Sequence, residues 1–236
     1  MTLLPPGPIL ALDTAGAACG IALWHDGRVL ARRDAPMTHG HAEALAPLTQ
    51  ETLESATMTV AEVGAVAVTV GPGSFTGLRV GLAFARGLGL AAGRPVLGLP
   101  GPMVLAHMAR ATAPDSIAES IVVVLDARRA EVFLQPFTPD LTACGPILSV
   151  PPSAVADRLP ITGPVCLTGD GVALLPADLT GDASLRVAEG AARSPDPAVL
   201  AALVAADPGA ALAPRPVYGR PPDAMPARPN PRAPAS

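Results

Sequence analysis

The order of short apolar runs in the first hundred residues limits the fold more than any other feature of this chain. ILALDT (Ile9–Thr14), CGIALW, RVLARR, AVAVTV (Ala65–Val70) and PVLGL (Pro95–Leu99) are too short for typical helices and apolar enough for buried strands. CGIALW and RVLARR flank His25-Asp26-Gly27, and Asp-Gly between two such runs signals a tight hairpin. A helix is expected from about His41, with Pro47 forcing a start or a kink near it because proline has no amide proton. Thr59 and Glu62 have the spacing of a capping box. The order is strand-strand-strand-helix-strand-helix-strand, which gives a mixed sheet with helices packed on it, an α/β class.

The second half repeats the opening weakly. A helix is expected over Met103–Ala111, and SIVVVLDARRAEVFLQPF (Ser120–Phe137) reads as a hairpin turning near Arg128–Ala130. Its VLDA echoes ALDT of the first half: a strand ending in aspartate, a turn, a returning strand. Two similar half-domains are expected, over residues 1–100 and 101–213. A GDG triplet stands at Gly169–Gly171 and a helix is expected near Ala198–Ala206. The stretch from Pro214 to Ser236 holds eight prolines and reads as an extended or disordered tail.

Between the fourth and fifth strands lies VGPGSFTGLRVGLAFARGLGLAAG (Val70–Gly93), which begins like a phosphate-cradling loop. A P-loop needs lysine after its second glycine, and here Leu78-Arg79 follow Gly77. The chain has no lysine at all, which also excludes a Schiff-base or general-base lysine, since arginine stays protonated. G-x-S-x-G is absent, and Ser74 fits better as the N-cap of the following helix than as a nucleophile. Each interior glycine costs a helix about 0.8–1 kcal/mol, so Gly81, Gly87 and Gly89 together need an offset on the order of 3 kcal/mol. Gly77, Gly81, Ala85, Gly89 and Gly93 recur every four residues, a ridge nearly free of side chains that lets another backbone come close. That backbone belongs either to the protein's own sheet or to another protein.

Composition narrows the chemistry further. No uncharged apolar run reaches 18 residues, so no membrane span is expected, and the N-terminus lacks the basic start of a secretion signal. Cys19, Cys144 and Cys166 lie far apart without a C-x-x-C pair, which suits a reducing compartment. The net charge is −4 and the sixteen basic residues are scattered, with no basic stripe for nucleic acid. His39, His41 and Glu43 lack the i, i+4 spacing of a helical metal site, and no metal is expected. Asp13 and Asp126, at similar strand–turn junctions, leave a magnesium site or simple turn chemistry open.

ILALDTA, CGIALWHDG, HAEALAP, VGPGSFTGLRVGLAFARGLGLA, PVLGLP, LDARRAEVF and PVYGRPPDA, in that order, resemble the TsaB (YeaZ) family, from about Ile9 to Ala224. The resemblance implies the actin/Hsp70/sugar-kinase fold of two ribonuclease-H-like halves. It implies a cytoplasmic, non-catalytic subunit of the complex that puts threonylcarbamoyl on N6 of adenosine 37 in tRNAs reading codons that begin with A. The implied partners are a metal-binding catalytic subunit of the TsaD type and a TsaE-type ATPase, with a homodimer when the chain is alone and tRNA met only through the complex. No H-x-x-x-H metal pair of the TsaD kind occurs here. No tightly bound cofactor is implied; the partner interface is the one place left open for ATP or ADP. The partner surface is assigned to Gly77, Gly81, Phe84, Ala85, Leu88 and Gly89, so that Gly81→Arg should fold yet lose association. Asp13 and Thr14 match the superfamily's first phosphate motif. A small-molecule kinase and a metallopeptidase-like hydrolase are the competing readings.

Overall fold

Ten strands and five helices account for most of the residues that the structure, a computed structural model, describes: 4–112, 120–159, 163–182, 184–188 and 194–220. The first half begins with β1 (Ile9–Asp13), β2 (Ala18–His25) and β3 (Arg28–Pro36), an antiparallel meander whose second turn is Asp26-Gly27. α1 (His41–Ser55) crosses to β4 (Ala65–Thr69), α2 (Phe75–Ala92) to β5 (Val96–Leu99). β4 lies parallel to β1, and β5 parallel to β4, giving the sheet order β3-β2-β1-β4-β5. Pro47 sits inside α1 rather than at its start. Glu62 accepts from the amide and hydroxyl of Thr59, so the capping box is present, but it closes one 3-10 turn over Val60–Glu62.

The second half repeats this plan strand for strand. α3 (Gly101–Thr112) leads into β6 (Ser120–Arg128), β7 (Glu131–Phe137) and β8 (Leu148–Val150), again an antiparallel meander. β9 (Val165–Thr168) pairs parallel to β6, and β10 (Leu185–Val187) parallel to β9. Read from β8 the order is β8-β7-β6-β9-β10, the counterpart of the first sheet. The fold is therefore the α/β class expected, two ribonuclease-H-like halves. The crossover helices shrink in this half to 3-10 turns at Pro152–Ala154, Ala156–Arg158 and Asp170–Leu174, and to the four-residue α4 (Ala177–Thr180).

The chain's last helix lies on the first sheet, and the helix that opens the second half lies on the second. α5 (Pro197–Ala206), N-capped by Asp196, packs Leu200, Ala201 and Val204 against Ile9, Ala11, Ala65 and Ala67 of the first sheet. α3 sends Leu105, Ala106 and Ala109 onto Ile121, Val123 and Phe137 of the second. The opposite face of the first sheet, through Leu10, Leu12, Ile21 and Leu23, is covered by α1 and α2 with Leu45, Leu53, Leu82 and Ala85. Apolar burial on both faces explains why β1 and β4 read as continuous hydrophobic runs rather than alternating ones.

The chain from Pro214 is not simply a loose tail. Leu212 exchanges backbone hydrogen bonds with Gly98, the Val217 amide donates to the Val70 carbonyl at 2.7 Å, and Arg220 reaches the Glu131 carboxylate on β7. Residues 212–220 thus form a strap from the first sheet to the second, extended as one of the two expected forms and fastened at both ends. Its prolines hid this, because composition does not report a partner more than a hundred residues away. Residues 221–236 lie outside the described part.

Candidate functional site

The strap crosses one mouth of a cleft of about 1040 Å³ between the halves. One wall is the turn after β1 (Ala15–Ala17) together with the glycine loop and first turn of α2. The other is the end of β6, the β6–β7 turn and Asp170. Glycine shapes the first wall: Gly71 has φ +113°, and a Cβ on Gly73 would strike the Ala15 carbonyl. The Ser74 amide donates to that carbonyl at 2.9 Å, and the Ser74 hydroxyl accepts from the Gly77 amide at 3.2 Å. Ser74 is the N-cap, as its spacing suggested.

From that cap α2 runs with its small-residue ridge turned inward. A Cβ on Gly77 would strike the Thr14 carbonyl, one on Gly81 the Thr14 hydroxyl, and one on Gly89 the Val96 side chain. Ala85 is fully buried. The assignment of Gly77, Gly81, Ala85 and Gly89 to a partner surface is therefore corrected: the backbone they admit is the chain's own, at β1 and β5. Gly81→Arg would overlap Thr14 and cannot serve as a folded variant. Phe84 and Leu88 are half-buried beside the ridge and pack on the core shared with α1. The face that looks outward carries Ala83, Gly87 and Leu90, the last 86% exposed.

Asp13 and Thr14 do not line the cleft. The Thr14 hydroxyl donates to the Gly77 carbonyl at 2.8 Å and is buried, so its role is to seat α2. Asp13 is 1% exposed; its Oδ1 accepts from the Thr69 hydroxyl and from the Ala15 amide, while Oδ2 has no partner. Burial pushes its carboxyl up to about 6, against the opposing hydrogen bonds from Thr69 and Ala15. The same burial, with Asp13 and Asp34 nearby, pushes the Cys19 thiol up to about 11, so it is an inert core residue. The phosphate motif is thus sealed beneath the wall instead of opening onto the cleft. Asp126 does line it, paired with Arg128 at 2.8 Å and donating its amide to Asp170 Oδ1 at 3.0 Å. Asp170 is held above the ordinary carboxylate range, first by burial. Asp126 lines the cleft while Asp13 is buried beneath its wall, so the cleft does not bring the two carboxylates together.

The histidines stand on separate elements: His25 ends β2, His39 borders the cleft, His41 opens α1, and His107 is in α3. No group of three or more metal-ligating side chains occurs among the described residues. Among those residues no helix is long and apolar enough to cross a membrane.

Several cleft residues were not foreseen from sequence. Phe75 and Tyr218 pack with ring centroids 5.6 Å apart and planes tilted by 32°, and the Arg79 guanidinium lies 3.7 Å from the Phe75 centroid. Arg79 Nε also donates to the Tyr218 hydroxyl at 3.3 Å. Opposite them, Arg128, Arg129 and Ala130 all have positive φ, at 62°, 54° and 60°. The signal available was the doubled arginine in a turn that lacks glycine.

Comparison with known proteins follows this geometry. The family model described as TsaD: tRNA N6-adenosine threonylcarbamoyltransferase matches residues 35–142. The chain is 37% identical over 125 residues to the tRNA threonylcarbamoyladenosine biosynthesis protein TsaB of Escherichia coli (strain K12), covering 53% of this chain and 52% of that protein. It is 37% identical over 130 residues to the protein of the same name in Haemophilus influenzae, covering 53% and 51%. The match spans about half the length of these curated relatives. Among solved structures, YeaZ from Pseudomonas aeruginosa aligns with a TM-score of 0.74 at 29% identity, over 90% of this chain and 100% of that one.

Proposed function

Since this chain belongs to the TsaB/YeaZ family, we propose that it is the non-catalytic subunit of a cytoplasmic complex that transfers threonylcarbamoyl to N6 of adenosine 37 in tRNA. It binds and activates a metal-binding catalytic subunit of the TsaD type, is joined by a TsaE-type ATPase, and pairs with itself when alone. The observation that carries this reading is the 37% identity to the E. coli TsaB protein, joined to a fold shared with YeaZ along nearly the whole chain. The sealed Asp13 and Thr14 support a chain that does not turn over nucleotide by itself. ATP or ADP belongs, in this reading, at the interface with the catalytic partner.

The partner surface follows the correction above. It is the outward face of α2, where Ala83, Gly87 and Leu90 lie beside the exposed Arg86 and are flanked by Phe84 and Leu88. Leu90 is 86% exposed on this face.

The test is reconstitution of threonylcarbamoyl transfer to tRNA by the cognate metal-binding subunit, with and without this chain. Transfer should be lost on omission; transfer unaffected by omission refutes the proposal. Leu90→Arg keeps the fold, because its side chain touches little, and should abolish both self-association and partner binding in size-exclusion light scattering. Normal association by that variant would place the interface elsewhere.

A further inference from the structure

We propose that the cleft between the two halves binds single-stranded RNA directly, through a stacking platform of Phe75, Tyr218 and Arg79 and a basic opposite lip at Arg128 and Arg129. This goes beyond the proposed function, in which tRNA meets the chain through the complex. It also revises what the scattered basic residues imply, because the fold gathers what the sequence disperses.

The concentration is the first observation. The chain has six aromatic residues and sixteen arginines at a net charge of −4. Three of those rings, Phe75, Phe133 and Tyr218, line this one cleft. So do four arginines, at 79, 128, 129 and 220, against two aspartates, at 126 and 170. Arg220 is held by Glu131 and Arg128 by Asp126, while the Arg79 contacts are a ring face and a phenol. Guanidinium and aromatic faces side by side are the surface on which unpaired bases stack.

Exposure is the second observation. Phe75 is 54% and Tyr218 41% exposed, although both are large rings held in fixed contact. A base can lie on them from the open side while its backbone continues outward along the cleft. The α2 N-terminus opens on the same space and adds its dipole to the attraction for phosphate. The arrangement favours a strand over a free nucleoside triphosphate. No lysine exists to reach a terminal phosphate, the Thr14 hydroxyl is committed to Gly77, and Asp13 is sealed from the cleft.

The experiment is a fluorescence-anisotropy titration of a labelled, unstructured ten-nucleotide RNA with the full chain, from 50 to 200 mM salt. Binding should weaken with salt with a log–log slope of roughly −1.5 to −2, as expected for two or three phosphates on single-stranded RNA. Arg79→Gln and Tyr218→Ala should each weaken binding at least about tenfold, the size of one lost stacking contact. Their melting curves should remain near wild type, since both side chains are partly exposed. Arg28→Gln, on the distant β2–β3 turn, should bind as wild type does. No binding at 50 mM salt overturns the proposal, and so does an equal loss in Arg28→Gln. ATP or duplex RNA competing as well as the single strand also overturns it. None of these outcomes depends on the transfer assay, so the two proposals fail separately.

Discussion

After its fourth strand each half enters a glycine loop, and there the two halves diverge. Gly71 and Gly73 follow β4; Gly169 and Gly171 follow β9, with φ of +113° and +102° at the leading glycine. In both, the second glycine presses against the end of the first strand of its sheet, Ala15 in one half and Leu125–Asp126 in the other. The first loop then launches an 18-residue helix, the second a five-residue 3-10 turn that stops at Leu175-Pro176. Gly77 and Gly81 allow α2 to lie flat on Thr14, whereas Pro176 cannot continue a helix. A shared loop thus sets where an element starts. The residues one and two turns later decide whether it becomes a helix that carries a surface.

The largest test of this difference is Gly81→Arg. It drives a charged side chain into the Thr14 contact and should cost more than about 3 kcal/mol. We expect insoluble or unfolded protein by circular dichroism, whereas Gly87→Ala on the outward face should gain about 0.8–1 kcal/mol. Folded, soluble Gly81→Arg would mean that the ridge faces outward after all.

A second test contrasts Asp13, which ends β1, with Asp126, two residues before the end of β6. Asp13 is raised in the folded chain from 3.8 to about 6, so the native state binds more protons than the unfolded state between those values. Stability is full below about pH 4 and falls as the pH rises through 6, by roughly 3 kcal/mol. Asp13→Asn should flatten this fall in urea midpoints measured from pH 4 to 7. Asp126→Asn removes only a partly exposed pair with Arg128, costs under about 1 kcal/mol and leaves the slope in place. An unchanged slope in Asp13→Asn would remove the buried carboxyl as its source.

The smallest expected effect lies in the two hairpin turns. Asp26-Gly27 turns the first with φ of 45° and 79°; Arg129-Ala130 turns the second at 54° and 60° without glycine. Left-handed backbone costs an alanine about 1 kcal/mol. Ala130→Gly should therefore raise the melting temperature by about 2–4 °C, and Gly27→Ala should lower it by a similar amount. Calorimetry showing no change at position 130 would mean that the second turn carries no strain.

These pairs also show which parts were legible before the fold was known. The first seven strands, the Asp26-Gly27 turn, the Ser74 cap and the repeat of the two halves depend on near neighbours and were read from sequence, whereas β8, β9 and β10 were not. The direction of the α2 ridge was not, because small residues stand on both faces of that helix and spacing alone does not name the buried one. Nor was the cleft, whose Arg79, Arg128 and Tyr218 meet only once both sheets have formed. The Val70–Val217 bond was hidden for the same reason, since nothing within Pro214–Arg220 points to a partner so far away.

The seat of α5 on the first sheet puts the fold on a clock. β1 and β4 leave the ribosome early, but α5, which covers their second face, is made about 100 residues after β5, roughly 5–20 s later at ordinary rates of synthesis. For that interval Ile9, Ala11, Ala65 and Ala67 lack the cover of Leu200, Ala201 and Val204, and the first half waits for the second before it can close.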